Sequence, residues 1–242
     1  MQAAIANLLK HPGIWRGDGH TLQQAATLDC GHAALAAVLP GGGWPQAAVT
    51  ELLARQSGCG ELKLLLPALA TLTRAGKQVL LIAPPHIPYA PAWQAAGVDL
   101  QRLTWVQPEG EHHALWAMEQ SLREPACGAV VAWFRHALAD RDCRRMQLAA
   151  ETGGACGFVL RQGAGEPLAS PFGLRLAVDA VAGGVAVQVL KRRGPPLTRP
   201  VFLSQDSLAS QPAPRFSVVP AAASVAGTST HRPQAPAYAC AA

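Results

Sequence analysis

The sequence predicts an α/β fold: a mostly parallel central sheet flanked by helices, with an antiparallel hairpin at the C-terminal edge. Three observations carry this expectation. Gln78–Ala83 (QVLLIA) and Gly128–Trp133 (GAVVAW) are apolar without polar alternation, as strands covered on both faces are. From Glu61 onward, Leu62, Leu65, Leu66, Leu69 and Leu72 follow the spacing of a core-facing helix stripe. Strands and helices then alternate down to Arg161 at the pace of crossover connections. With 242 residues, half of them hydrophobic and 14% charged, the chain can bury a sizeable core as one domain plus a tail.

In chain order, residues 1–19 form an N-terminal unit. Met1 to Lys10 can make a short amphipathic helix through Ile5, Leu8 and Leu9, closed by His11-Pro12-Gly13. Ile14, Trp15 and Arg16 follow, read either as a segment folded back on the core or as a docking arm with an aromatic anchor. Residues 20–203 are the α/β domain. Asp29 to Val38 gives a short helical piece, and the glycine turn of LPGGGWP, with Trp44, leads into a strand over Ala47–Leu53. After Gln78–Ala83, Pro84 to Pro88 break the chain, and Tyr89–Ala96 is a helix ended by Gly97. Leu103–Val106 is a strand, Gly110–Arg123 a helix, Asp140–Thr152 a helix ended by two glycines, and Cys156–Arg161 a strand. Leu174–Asp179 and Val185–Lys191 flank Gly183-Gly184 as the edge hairpin. Residues 204–242 are dominated by Pro, Ala, Ser, Thr and Gln and read as a disordered tail.

The chemistry centres on the loop between the first core strand and the leucine-striped helix. A strand, a glycine-containing loop and a helix N-terminus form the frame in which backbone N–H groups meet a phosphate. Such a loop needs G-x-x-x-x-G-K-[ST], with Lys on the terminal phosphates and a hydroxyl on Mg²⁺. Ser57, Gly58, Cys59 and Gly60 keep the frame, but Glu61 and Leu62 stand where Lys and Ser/Thr belong. A carboxylate repels phosphate and a leucine cannot hold a metal, so the loop reads as a nucleotide site without its function.

No other constellation supplies catalysis, a cofactor or a metal. Cys30, Cys59, Cys127, Cys143, Cys156 and Cys240 show no CxxC or Cys/His spacing and read as free thiols in a reducing compartment. His112 and His113 point to different helix faces and cannot share one ion. Ser57 and Ser170 lack His/Asp partners for a hydrolase. Trp93, Trp105, Trp116 and Trp133 sit inside expected elements and read as core. No signal peptide and no run of apolar residues long enough for a membrane span is present, which makes a cytoplasmic protein the simplest reading. Arg141, Arg144 and Arg145 share one helix face, read as a solvated face or a weak DNA contact; Lys191, Arg192 and Arg193 could meet an acidic partner, protein or DNA phosphate.

The order of elements resembles the RecA recombinase core, a P-loop NTPase-type fold. More closely, IWRG, LPGGGWP, GELKLLLPAL, APPHIPYAPA, QLAAE and LKRRG resemble the ImuA/SulA-like proteins of bacterial SOS mutagenesis cassettes, over about residues 14 to 200. Against an active RecA ATPase, three catalytic elements are missing. Glu61 and Leu62 replace the loop Lys and Thr, Pro85 replaces the water-activating glutamate, and Ala132-Trp133 stand where a metal-orienting Asp is expected. The two DNA-holding loops shrink to Phe134–Leu138 and Gln162–Pro171.

The resemblance implies a non-catalytic adaptor in SOS-induced, error-prone translesion synthesis. Its implied partners are a Y-family-like mutasome subunit, a specialised DNA polymerase III alpha-type subunit and RecA, whose filaments it would limit. The residues read as candidate partner contacts are Ile14, Trp15, Arg16, Trp44, Lys191, Arg192 and Arg193, with DNA touched weakly or indirectly and no membrane. The other branch of the resemblance implies a SulA-like division inhibitor that binds FtsZ.

Overall fold

The computed structural model describes residues 26–56, 58–162 and 170–209. The expected helix at Met1–Lys10 and the arm at Ile14, Trp15 and Arg16 lie outside these residues, as does the tail from residue 210.

The described chain opens with a two-stranded antiparallel unit, β1 (Thr27–Asp29) and β2 (Gly43–Pro45), with Leu28 opposite Trp44. Only Ala33–Ala36 (α1) of the expected 29–38 helical piece is α-helical, and a 3-10 turn at Pro40–Gly42 follows. Then come β3 (Ala48–Ala54), α2 (Glu61–Arg74), β4 (Gln78–Ile82), α3 (Ala90–Ala95) and β5 (Leu103–Val106). Next are α4 (Glu111–Arg123), β6 (Cys127–Phe134), α5 (Asp140–Gly153) and β7 (Cys156–Gln162). The last are β8 (Leu174–Val181), β9 (Gly184–Lys191), β10 (Val201–Ser204) and α6 (Gln205–Ala209).

The eight-stranded sheet runs β10-β9-β8-β3-β7-β6-β4-β5. The strands from β8 to β5 are parallel, and β9 and β10 extend the β8 side in antiparallel fashion. The expected mixed α/β architecture with a mostly parallel sheet is therefore present. The hairpin β8–β9 is not the edge, however, because β10 pairs beyond it. Residues 204–209, which composition assigns to the tail, complete β10 and form α6.

Helices cover both faces. On one, α2 and α3 join β1–β2 over the core that includes Leu52, Leu81, Val131 and Phe158. On the other, α4 presents Ala114, Met118 and Leu122, and α5 presents Cys143, Met146, Ala149 and Ala150. The buried stripe of α2 is Leu64, Leu65, Ala68 and Leu69; of the expected set, Leu62, Leu66 and Leu72 are only partly buried, on its shoulders. The stripe is broadened because α2 packs against β1 as well as the sheet.

Pro67 inside α2 explains a second local feature. Its missing N–H leaves the Lys63 carbonyl without a helical donor. His32 Nε2 lies 3.3 Å from that oxygen, and because a carbonyl only accepts, Nε2 carries the proton. Gly31 makes this approach possible: a Cβ there would sit 2.3 Å from the Pro67 Cβ, and its φ of 72° suits glycine.

Of the tryptophans expected in the core, Trp93 is buried and Trp133 half-buried, but Trp105 and Trp116 are 46% and 59% exposed. Trp105 lies in the outermost of the described strands, which has a strand partner on one flank only among the described residues.

Candidate functional site

The loop after β3 joins a strand to the N-terminus of α2, but it is closed from within. Gly58 and Gly60 both take left-handed backbone, with φ of 83° and 102°. A Cβ at Gly60 would meet Val185 Cγ2 at 2.6 Å, so the loop lies hard against β9. Glu61 is buried, and its Oε1 accepts the Gly58 N–H at 3.0 Å. The carboxylate thus takes a loop amide that an anion would need, and its Oε2 has no partner. Cys59 Sγ donates to the Gln56 carbonyl at 2.9 Å, and Leu62 packs against the core. Ser57 lies outside the described residues. Beside the loop is a cleft of about 380 Å³ lined by Arg55, Gln56, Cys59, Asp179, Ala180 and Val181. Its one cation, Arg55, is paired with Asp179 at 3.1 Å.

One polar cluster that sequence reading missed lies at the centre of the sheet. Glu51 of β3, Arg161 of β7 and Arg175 of β8 form a buried triad, with contacts of 2.6 Å from Arg161 and 2.5 Å from Arg175. Arg175 stands directly across from Glu51 in the ladder. β3 and β7 each carry a single charge and β8 carries Arg175 and Asp179 in largely apolar runs, and the opposite signs of Glu51 and the two arginines were the available signal.

The basic candidates separate. Arg145 is drawn to Glu119 of α4 and to Asp142, while Arg123 pairs with Glu119 at 2.6 Å. That network ties α4 to α5, so Arg145 serves the fold, whereas Arg141 and Arg144 are exposed. Arg192 is half-buried and donates to the Pro195 and Val38 carbonyls at 2.9 and 2.7 Å. Lys191 Nζ donates to the Ser170 carbonyl at 2.8 Å, and Arg193 is exposed. Trp44 was expected to face a partner, but it is fully buried, edge-on to Phe158. Ile14, Trp15 and Arg16 lie outside the described residues.

The titratable groups follow their surroundings. Burial pushes the thiols of Cys127 and Cys156 up to about 12 and that of Cys143 up to about 11, and it also raises Cys30. Burial lowers His32 against the opposing pull of the Lys63 carbonyl. At Glu111 burial works upward, but hydrogen bonds from His136 and the Arg135 amide outweigh it and hold the carboxyl below its usual value. No group of three or more His, Cys, Asp or Glu that could hold a metal occurs among the described residues. No helix among them is long and apolar enough to cross a membrane.

Comparison with known proteins bears on the centre of the chain. A family model described as cell division inhibitor SulA matches residues 47–157, from just before β3 into β7. The cell division inhibitor SulA of Pectobacterium carotovorum subsp. carotovorum is 25% identical over 142 residues, which cover 59% of this chain and 82% of the relative. That of Pectobacterium atrosepticum is 26% identical over the same extents. The similarity to SulA thus runs from β3 to the start of β7, with α2 to α5 between.

Proposed function

We propose that this protein is a non-catalytic, SulA-like inhibitor of cell division in the SOS response, working by contact with the division polymer protein FtsZ. The carrying observation is the SulA match across the sheet core. The loop geometry supports the non-catalytic part, because Glu61 occupies the Gly58 amide and no Lys stands in the cleft. The division reading thereby takes precedence over the translesion adaptor that the sequence resemblance placed first.

The adaptor reading keeps one specific support. The LKRRG stretch and strands β8 to β10 lie beyond the matched residues 47–157. In that reading the protein binds a Y-family-like subunit, a polymerase III alpha-type subunit and RecA.

Titration into an FtsZ polymerisation assay, beside RecA ATPase on single-stranded DNA, separates the two. Inhibition of FtsZ at stoichiometric ratios with RecA untouched supports the division inhibitor. Loss of RecA turnover with FtsZ unaffected replaces it with the adaptor. Mg·ATP should leave the thermal midpoint unchanged; a saturable rise would show nucleotide binding and overturn the closed-loop argument.

A further inference from the structure

The connection from β9 to β10 gathers positive charge. Residues 191–200 (KRRGPPLTRP) hold four cations and no carboxylate. Lys191 and Arg192 donate to backbone carbonyls, which leave their charge uncompensated, and Arg193 and Arg199 are exposed. None of the four forms an ion pair among the described residues. The buried triad adds to them, because Glu51 meets two guanidinium groups with one carboxylate and leaves one positive charge inside the sheet. Arg175, only 5% exposed, is the ladder partner of Lys191, and its Nη2 has no hydrogen-bond partner.

Beside this corner the sheet is open on one face. Val185, Val187 and Val189 of β9 and Leu203 of β10 turn into the core beneath α2. Alternate residues of a strand point opposite ways, so Ala186, Gln188, Phe202 and Ser204 face the other side. On that side α4 and α5 pack chiefly on β3, β4, β6 and β7, and the core they cover takes no residue from β8, β9 or β10. Phe202 is 53% exposed there, and Gln188 is exposed near it. Ala186 stands opposite Phe202, and the stretch of β9 from Ala186 to Lys191 spans about 16 Å.

We propose that this open face and the 191–200 connection bind single-stranded nucleic acid, with backbone phosphates on Lys191, Arg193 and Arg199 and a base stacked on Phe202. These residues lie outside the SulA-like stretch, so such binding is separate from the division activity proposed above. Single strands are held where a cationic track runs beside aromatic platforms, and sheet faces supply such platforms through exposed rings. Arginine's planar fork matches phosphate oxygens. A duplex fits less well, because its stacked bases hide their faces from a ring lying on a sheet. Carboxylates alone would engage the cations and leave Phe202 unused.

The test is fluorescence anisotropy with the full-length protein and a labelled oligothymidylate of about 15 nucleotides. Binding should weaken with salt, log affinity falling against log salt with a slope of about −2, as three phosphate contacts on a single strand imply. Arg193→Ala combined with Arg199→Ala should flatten that slope by about 1 and cost at least about tenfold in affinity. Phe202→Ala should cost about fivefold or more at an unchanged slope, which separates stacking from charge. All three side chains are exposed, so none of these variants disturbs the core. The control, Arg141→Ala combined with Arg144→Ala on α5, should bind as wild type. No binding at low salt, binding indifferent to the Arg193 and Arg199 pair or to Phe202→Ala, or an equal loss in the control overturns the proposal. So does a duplex of equal length held as tightly. Displacement by poly-glutamate as effective, per charge, as by unlabelled oligonucleotide also overturns it and makes an acidic protein segment the occupant.

Discussion

Trp44 stands edge-on to Phe158, ring centroids 5.4 Å apart and planes at 86°, and so pins the β1–β2 unit onto the central sheet. The contact is structural, and truncation tests it. Trp44→Ala should cost about 3–5 kcal/mol by opening a large cavity. Trp44→Phe should cost much less, because the indole N–H it removes is buried without a partner. Chemical denaturation of both variants checks the ordering; a near-neutral alanine variant would contradict the packing.

The Glu51 triad is a second structural commitment. Glu51→Gln leaves two buried guanidinium groups without a carboxylate and should destabilise by about 3–5 kcal/mol. Replacing all three residues with apolar ones of similar volume should recover most of that loss, since desolvation offsets much of what a buried pair returns. Urea midpoints of the single and triple variants measure this.

His32 makes stability pH-dependent. Its folded value is depressed by burial, so the neutral ring's contribution is complete above the ordinary value of 6.5 and is lost as pH falls through the folded value. The thermal midpoint should therefore drop between about pH 7 and pH 5, with a shallower slope in His32→Gln. Glu111 does not confuse this window, because its contribution is lost only below the usual carboxylate value of 4.5. Scanning calorimetry at half-unit pH steps supplies the comparison.

The buried thiols predict silence toward alkylation. With Cys127 and Cys156 at about 12 and Cys143 at about 11, they are protonated at pH 8 and should label only on unfolding. In the unfolded chain their values return to ordinary, so their stabilisation is complete below about pH 8.5 and falls as pH climbs toward the folded values. Mass spectrometry after timed maleimide exposure, native against denatured, tests the labelling.

The strands β4 and β6 were legible because strands buried on both faces read as largely apolar runs, β3 and β7 because one charge each barely interrupts such a run, and the helices by Gly110 at the start of α4 and Gly153-Gly154 at the end of α5. Short elements were not. Val201–Ser204 sits among Pro, Thr and Arg, and nothing local marks it as a strand until β9 offers it a partner. Trp105 and Trp44 were misplaced for a common reason: a tryptophan's exposure depends on strand order, which the local sequence does not carry. For the loop, Glu61 was visible as the wrong residue for phosphate. That its side chain reaches back to the Gly58 amide required coordinates.

The place of β3 in the sheet has a consequence for synthesis. Both of its neighbours come from late in the chain, with Glu51 waiting for Arg161, 110 residues on, and Arg175, 124 residues on. As the nascent chain leaves the ribosome, β3 and α2 emerge early with apolar flanks and no strand to pair with until β7 and β8 follow. Closing such long loops makes folding slow and leaves the early segments dependent on being kept apart from one another. A chain stopped at Gly157, where the match to SulA ends, would pair β3 only at Ala48 and Val49, with the rest of that flank and the whole of the other open.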